Sequence, residues 1–262
     1  MSENNASEDK EFAAEFYDIS YSGRKDIDFF VNYSLGAKGK TLELGCGTGR
    51  VLIPTAMEGC EITGLEISPL MLRRCQEKVE QQPEQIRKLI TLIQGNMTEF
   101  NIGEKFPLVT TPFRSFQHLI STEEQKACLH CINEHLEPGG LLILDLFNPF
   151  LPRLYDTKYE IEEELTPESE LPDGRRLRCT TRTLAFHRDG QYNEVEIIYC
   201  LSYPDGRTEK RVHSFPLRYF FRYEVEHLLN LSGFRIKELF GDFECSRFCS
   251  DSPEMIFVAE KR

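Results

Sequence analysis

The chain has no tryptophan, few methionines, and no uninterrupted apolar run of the ~18 residues that a membrane-spanning helix needs. No membrane partner is expected. Basic residues are the minority, with 31 Lys and Arg against 43 Asp and Glu and a formal net charge of −12. A surface that tracks phosphates needs the opposite sign, and no basic tail or recognition module is visible, so nucleic acid is not an expected partner. Residues 1–11 are polar and acidic and lack the apolar core of a signal peptide, which reads as a cytoplasmic protein. The nine cysteines are odd in number and have no small-scaffold spacing, so they read as reduced thiols. Cys128 and Cys131 form a C-x-x-C, but they share a helical apolar stripe with Ala127, Ile132, His135 and Leu136 and read as core. Cys245 and Cys249 have no second pair nearby, so no metal is expected.

What is present is a 262-residue chain, 40% hydrophobic and 28% charged, enough for one large domain with an inserted lobe. Short apolar strands alternate with amphipathic helices, which predicts an α/β fold with a parallel sheet covered on both faces. The predicted strands are Thr41–Leu44, Ile62–Glu66, Ile90–Gln94, 108–111, 141–146, 236–240 and 255–259. Ser68 caps a helix whose first turn holds Pro69 and whose stripe is Met71, Cys75 and Val79. A second helix opens at Ser121 or Thr122, with Glu124 or Gln125 closing a capping box, and is expected to stop at Pro138-Gly139-Gly140. From Asn148 to about Phe215 the pattern turns to period two, with Asp-Gly turns at Asp173-Gly174, Asp189-Gly190 and Asp205-Gly206, the mark of an antiparallel lobe. Within it Val195, Ile197, Tyr199, Leu201 and Tyr203 share one face, while Arg176, Arg178 and Arg182 read as a solvated, charge-paired row. The expected division is a main domain of 1–150 and 216–262 and a lobe of 151–215. An insertion there is expected to cover the carboxyl ends of the sheet, where open α/β folds bind ligands.

The most informative stretch is Glu43-Leu44-Gly45-Cys46-Gly47-Thr48-Gly49-Arg50, which closes the first strand and opens a helix. Gly45, Gly47 and Gly49 permit the sharp turn and let a ligand lie against bare backbone around Cys46. A dinucleotide fingerprint would place a small residue where Arg50 stands. The acid Glu43 would repel a phosphate but suits a ligand carrying an ammonium and a sulfonium, which points to S-adenosylmethionine. Glu66, with Ile67 beside it at the end of the next strand, is placed to accept hydrogen bonds from both ribose hydroxyls.

With that loop, Gln94-Gly95-Asn96-Met97, the segment Pro112-Phe113-Arg114-Ser115-Phe116-Gln117-His118-Leu119 and Leu136-Glu137-Pro138-Gly139-Gly140 follow in order. In these motifs the sequence resembles the class I S-adenosylmethionine-dependent methyltransferases, of small-molecule type, similar in layout to sugar-amine and glycine N-methyltransferases. The resemblance extends to 17–26, to 222–234 and to Gly241-Asp242-Phe243. It implies a Rossmann-like, doubly wound, seven-stranded, mostly parallel sheet with the antiparallel lobe inserted. It also implies S-adenosylmethionine as cofactor and a small-molecule methyl acceptor.

A sulfonium favours aromatic faces, so Tyr17 and Tyr21 are candidates for a lid over the donor or, equally, packing for an amino-terminal helix. Arg24 suits the methionyl carboxylate. Asn96 stands where the resemblance implies an acid, and its amide oxygen can accept the adenine amino hydrogen bond without charge. Met71 and Met97 are candidates to sandwich the ring, with Phe113 also at the cofactor. His118, after the fourth strand, is the candidate general base, because imidazole titrates near neutrality and the resemblance implies a histidine in this region. Arg114, Tyr199 and Arg222 are the candidate acceptor contacts. The expected activity is in-line methyl transfer to N or O of a small polar metabolite. Methylation of protein or RNA, and cofactor binding without catalysis, stand as alternatives.

Overall fold

Strands buried on both faces read as apolar runs, and Thr41–Leu44 and Ile62–Glu66 are buried at every position, the acids Glu43 and Glu66 included. The computed structural model describes the backbone of residues 3–21 and 23–262 and the side chains of 12–21 and 23–262. In chain order its elements are α1 (Glu3–Ser20), α2 (Ile27–Gly36), β1 (Thr41–Leu44), α3 (Leu52–Met57), β2 (Ile62–Glu66), α4 (Pro69–Glu80), α5 (Glu84–Arg87), β3 (Ile90–Gln94) and β4 (Phe106–Thr111). There follow α6 (Thr122–His135), β5 (Leu136–Phe147), β6 (Glu163–Glu170), β7 (Arg176–His187), β8 (Tyr192–Ser202), β9 (Thr208–Arg218), α7 (Arg222–Leu231), β10 (Phe234–Phe240) and β11 (Glu254–Lys261). A 3₁₀ segment, Pro112–His118, joins β4 to α6. The chain divides into two compact units: the described residues up to Gly23 with Pro149–Tyr219, and Arg24–Asn148 with Phe220–Arg262.

The larger unit carries a seven-stranded sheet in the order β10-β11-β5-β4-β1-β2-β3. Neighbours β1 to β5 pair in parallel, and β11 runs antiparallel to both β5 and β10. The strand order reverses beside β1, so the glycine loop leaves the sheet at the switch point where such folds take ligands. Leu42, Leu44, Val109 and Leu144 pack on one face with Cys128, Ile132, Val225 and Leu229 from α6 and α7. Leu108, Ile143 and Ile256 pack on the other with Phe29 and Phe30 from α2. This is the doubly wound arrangement expected. Cys128 is fully buried in that core, and the described residues hold no group of three or more side chains suited to a metal ion. No described helix is long and apolar enough to cross a membrane.

The caps act as the sequence implies: Ser68 accepts from Met71 N, and Ser121 with Glu124 forms a full capping box. The end of α6 differs. The helix stops at His135, not at Pro138-Gly139-Gly140. The His135 ring reaches Cys131 O at 2.7 Å and accepts from Ile102 N at 3.1 Å, which fixes its hydrogen on Nδ1. Leu136 is then already extended and paired with Phe106, and the proline and glycines form a bulge before Leu108 pairs with Leu141.

The smaller unit is an antiparallel sheet in the order β6-β7-β8-β9. Its Asp-Gly turns hold their own backbone: Asp173 accepts from Arg175 N, and Asp205 from Arg207 N. The charge-paired reading of the arginine row fits Arg176 with Glu168 and Arg182 with Glu196. The helix α1, expected within the main domain of 1–150 and 216–262, belongs to the smaller unit. Its Ala13 and Phe16 are buried with Leu177, Cys179, Ile197 and Leu201, and Thr166 Oγ1 donates to Ser20 O at 2.6 Å. An amphipathic helix does not declare which sheet it covers, and here the apolar face of the small sheet takes it.

Candidate cofactor and acceptor site

The loop after β1 is stitched to β2, because Gly45 N and Cys46 N both donate to Leu65 O, at 2.7 and 3.1 Å. Its three glycines all adopt left-handed backbone, with φ of 71° at Gly45, 54° at Gly47 and 80° at Gly49. A Cβ on Gly45 would come within 2.5 Å of Ser115 Oγ, and one on Gly49 within 2.7 Å of Cys75 Sγ. A Cβ on Gly47 would meet no described atom within 4 Å. Gly45 and Gly49 are therefore demanded by packing, while Gly47 offers bare backbone to open space. The Cys46 side chain turns away from that space into a core with Leu52, Ile62 and Cys75, so the residue presents backbone only. A hydrogen bond with Cys75 and burial push its thiol pKa well up.

Two buried acids flank the loop. Glu66 Oε2 accepts from Gly47 N at 2.9 Å and Oε1 from Ser68 N at 2.7 Å, so one carboxylate ties the loop to the start of α4. Burial raises its pKa against the pull of those amides, and each oxygen keeps a second lone pair for a hydroxyl. Ile67 beside it is 61% exposed. Glu43 is 2% exposed, and its Oε2 has no hydrogen-bond partner among the described residues. Burial drives its pKa far above the carboxylate range. A buried acid oxygen without a donor is costly unless something supplies one, and the ammonium of S-adenosylmethionine is such a donor. The residues present thus fit that cofactor. Met97 is half-buried, its methyl 3.7 Å from where a Gly45 Cβ would lie, and Met71 is half-buried in the first turn of α4. Asn96 Oδ1 accepts from Thr98 N at 3.0 Å and retains one lone pair.

The exit of β4 is sharply turned, with Phe113 and Arg114 at φ of 53° and 64°, a conformation that non-glycine residues seldom take. Two guanidinium groups lie over the Phe113 ring, Arg24 at 4.6 Å and Arg50 at 5.2 Å. Arg50 holds fully buried Asp26 with two bonds of 2.6 and 2.7 Å, and Arg24 Nε adds a third at 3.2 Å. Arg114, expected to grip the acceptor, instead gives Nη2 to both oxygens of Glu254 at 2.9 and 3.2 Å. His118 stands exposed at the end of the segment, preceded by Gln117, whose Oε1 accepts from Phe147 N at 3.0 Å.

Arg222 is paired with Glu226 one helical turn away, at 2.6 Å, on the surface of α7. Tyr199 is 1% exposed inside the small sheet's core, its ring 5.8 Å from that of Phe12, so it packs α1 and is closed to an acceptor. Tyr17 and Tyr21 belong to the same unit and meet edge to face at 4.9 Å. Sequence reasoning missed Asp26, Asp145 and Glu254. Asp145 had a visible signal, a lone acid in the apolar run Leu141-Leu142-Ile143-Leu144-Asp145-Leu146-Phe147.

Residues 41–140 match the family described as methyltransferase domain. Over 238 residues the chain is 27% identical to the dTDP-3-amino-3,4,6-trideoxy-alpha-D-glucopyranose N,N-dimethyltransferase of Streptomyces venezuelae, covering 87% of this chain and 92% of the relative. The structure of the CcbJ methyltransferase from Streptomyces caelestis superposes with a TM-score of 0.75 at 25% identity, covering 95% of this chain and 96% of that one. That of S-adenosylmethionine-bound CalS10, an amino pentose methyltransferase from Micromonospora echinaspora, gives a TM-score of 0.69 at 21% identity, with 94% and 96% covered, and shares the fold.

Proposed function

Since this chain is an S-adenosylmethionine-dependent methyltransferase, we propose that it methylates an amine nitrogen of a small polar acceptor of amino-sugar type. The observation that carries the cofactor end of this reading is the unpartnered, buried Glu43 oxygen, taken with the open face of Gly47. The acceptor class is supported by the relative named as an amino-sugar N,N-dimethyltransferase.

When bound, S-adenosylmethionine supplies an electrophilic methyl group on a positively charged sulfur. The protein's task is then alignment, exclusion of water and handling of one proton. In this reading Glu43 receives the ammonium, Glu66 the ribose hydroxyls, Asn96 Oδ1 the adenine amino group, and Ile67, Met71 and Met97 flank the base. Arg24, held over Phe113 by Asp26, takes the carboxylate. His118, exposed beyond the exit of β4, removes the proton that an amine must lose to present its lone pair.

An acceptor screen with labelled methyl donor tests this. Label is expected on the nitrogen of amino sugars and not on their hydroxyl counterparts, with His118→Ala slowing transfer about 100-fold. Label entering protein or RNA alone would replace the reading with a macromolecular one. No transfer to any acceptor, with calorimetric binding of S-adenosylhomocysteine retained, would favour a non-catalytic binding protein.

A further inference from the structure

Beyond the cofactor contacts lies a second buried charge cluster, at the carboxyl end of β5 and the start of β11. Asp145 is fully buried, and neither of its carboxylate oxygens has a hydrogen-bond partner among the described residues. Arg24 Nη2 stands 3.8 Å from Asp145 Oδ2 and 3.6 Å from Glu254 Oε1, beyond hydrogen-bond reach of either, and that nitrogen is also without a hydrogen-bond partner. The other charges facing Asp145 are already matched. Asp26, before α2, is neutralised by Arg50 from the glycine loop, and Glu254, on β11, by Arg114 from the 3₁₀ segment. Arg24, whose Nε bonds Asp26, turns its unpartnered Nη2 toward Asp145.

This inference rests on the reading in which Arg24 takes the cofactor's carboxylate. Once that carboxylate arrives, Arg24 faces two negative charges, and Asp145, itself fully buried, becomes a surplus anion without a donor. We propose that Asp145 takes up a proton from solution when the carboxylate end of the cofactor binds beside Arg24, so that cofactor affinity rises as pH falls. Asp145 is then a positioning residue: ionised it competes for the free Nη2 of Arg24, which Asp26 holds through Nε, and protonated it leaves that nitrogen to the ligand. Its tendency to do so near neutrality is already present without ligand, because burial first and the charge of Glu254 next lift its pKa to about 7, against the pull of Arg114 and Arg24. Glu43 works in the opposite sense, since it must lose its proton to receive the ammonium, so the two carboxyls have to be separated experimentally.

The separation comes from comparing S-adenosylhomocysteine with its decarboxylated analogue, which keeps the amine and loses only the carboxylate. Isothermal calorimetry of the intact protein between pH 6 and 8, in buffers of different ionisation enthalpy, reports both affinity and protons taken up. Relative to the analogue, S-adenosylhomocysteine is expected to gain affinity as pH falls, approaching tenfold per unit by which binding displaces the Asp145 pKa, with net additional proton uptake. Asp145→Asn, which keeps the shape and removes the charge, should flatten that difference and raise affinity at pH 8 toward the acidic value. Equal pH profiles for the two ligands in the unaltered protein would overturn the proposal without any variant having to fold. So would a pH difference that survives in Asp145→Asn. If neither ligand binds at all, the cofactor reading itself fails, and this proposal with it.

Discussion

At the scale of single residues the site is dominated by acids that the surrounding fold does not satisfy. Glu43 sits in a four-residue strand buried throughout, and its raised pKa means that the folded chain holds a proton that the unfolded chain gives up in the ordinary carboxylate range. The stability associated with that proton is complete below the unfolded pKa and is lost as pH rises toward the folded one. Glu43→Gln has no such proton to lose. The variant should melt with the unaltered protein near pH 4 and above it at pH 8, each unit of upward displacement being worth about 1.4 kcal/mol. It should also lose affinity for S-adenosylhomocysteine, because the amide cannot match a charge-assisted bond to the ammonium. Scanning calorimetry and titration calorimetry check the two halves, and a variant no more stable at pH 8 with undiminished affinity refutes the assignment. Glu43 was legible in the sequence, because an acid closing an apolar strand before a glycine loop has few reasons to be there. Asp145 was as conspicuous, but the cation opposite it, Arg24, comes from a distant part of the chain and only the fold brings them together.

At the scale of elements, the glycine loop shows how positions of one residue type divide their work. Gly49→Ala places a methyl group 2.7 Å from the Cys75 sulfur and should destabilise the fold. Gly47→Val meets no described atom but occupies the open face, at a φ of 54° that a β-branched residue adopts at a cost of about 1–3 kcal/mol. The expected outcome is a folded Gly47→Val protein with no measurable calorimetric affinity for S-adenosylhomocysteine, and a Gly49→Ala protein whose melting temperature falls. Unchanged affinity in Gly47→Val would remove the loop from the cofactor site. β1 and β2 were legible because burial on both faces leaves continuous apolar runs, and the edge strand β3, half-buried at best, also occupies the expected residues. The end of α6 was not, because Leu136 is already extended and paired with Phe106, a tertiary contact that the proline and glycines downstream do not announce. Tyr199 was misplaced for a related reason: an apolar row on a strand tells that it is covered, not by what.

At the scale of the whole molecule, each unit keeps its own core. Phe16 is 2% exposed and closes the core of the small sheet together with Leu177, Ile197 and Leu201, all of them within the unit that α1 shares with β6 to β9. Removing a buried phenylalanine ring costs roughly 3–5 kcal/mol where neighbours cannot collapse into the space, and here those neighbours are strands pinned by their own ladders. The buried residues around Leu42, Val109 and Leu144 include none from α1 or from the small sheet. Phe16→Ala is therefore expected to act locally: amide hydrogen exchange should accelerate in β7 and β8, while β1 and β4 keep their protection. A uniform loss of protection across both sheets would show that the two cores fold as one cooperative unit, and would remove the ground for treating the inserted lobe, with its helix, as separable from the sheet that carries Glu43 and Glu66.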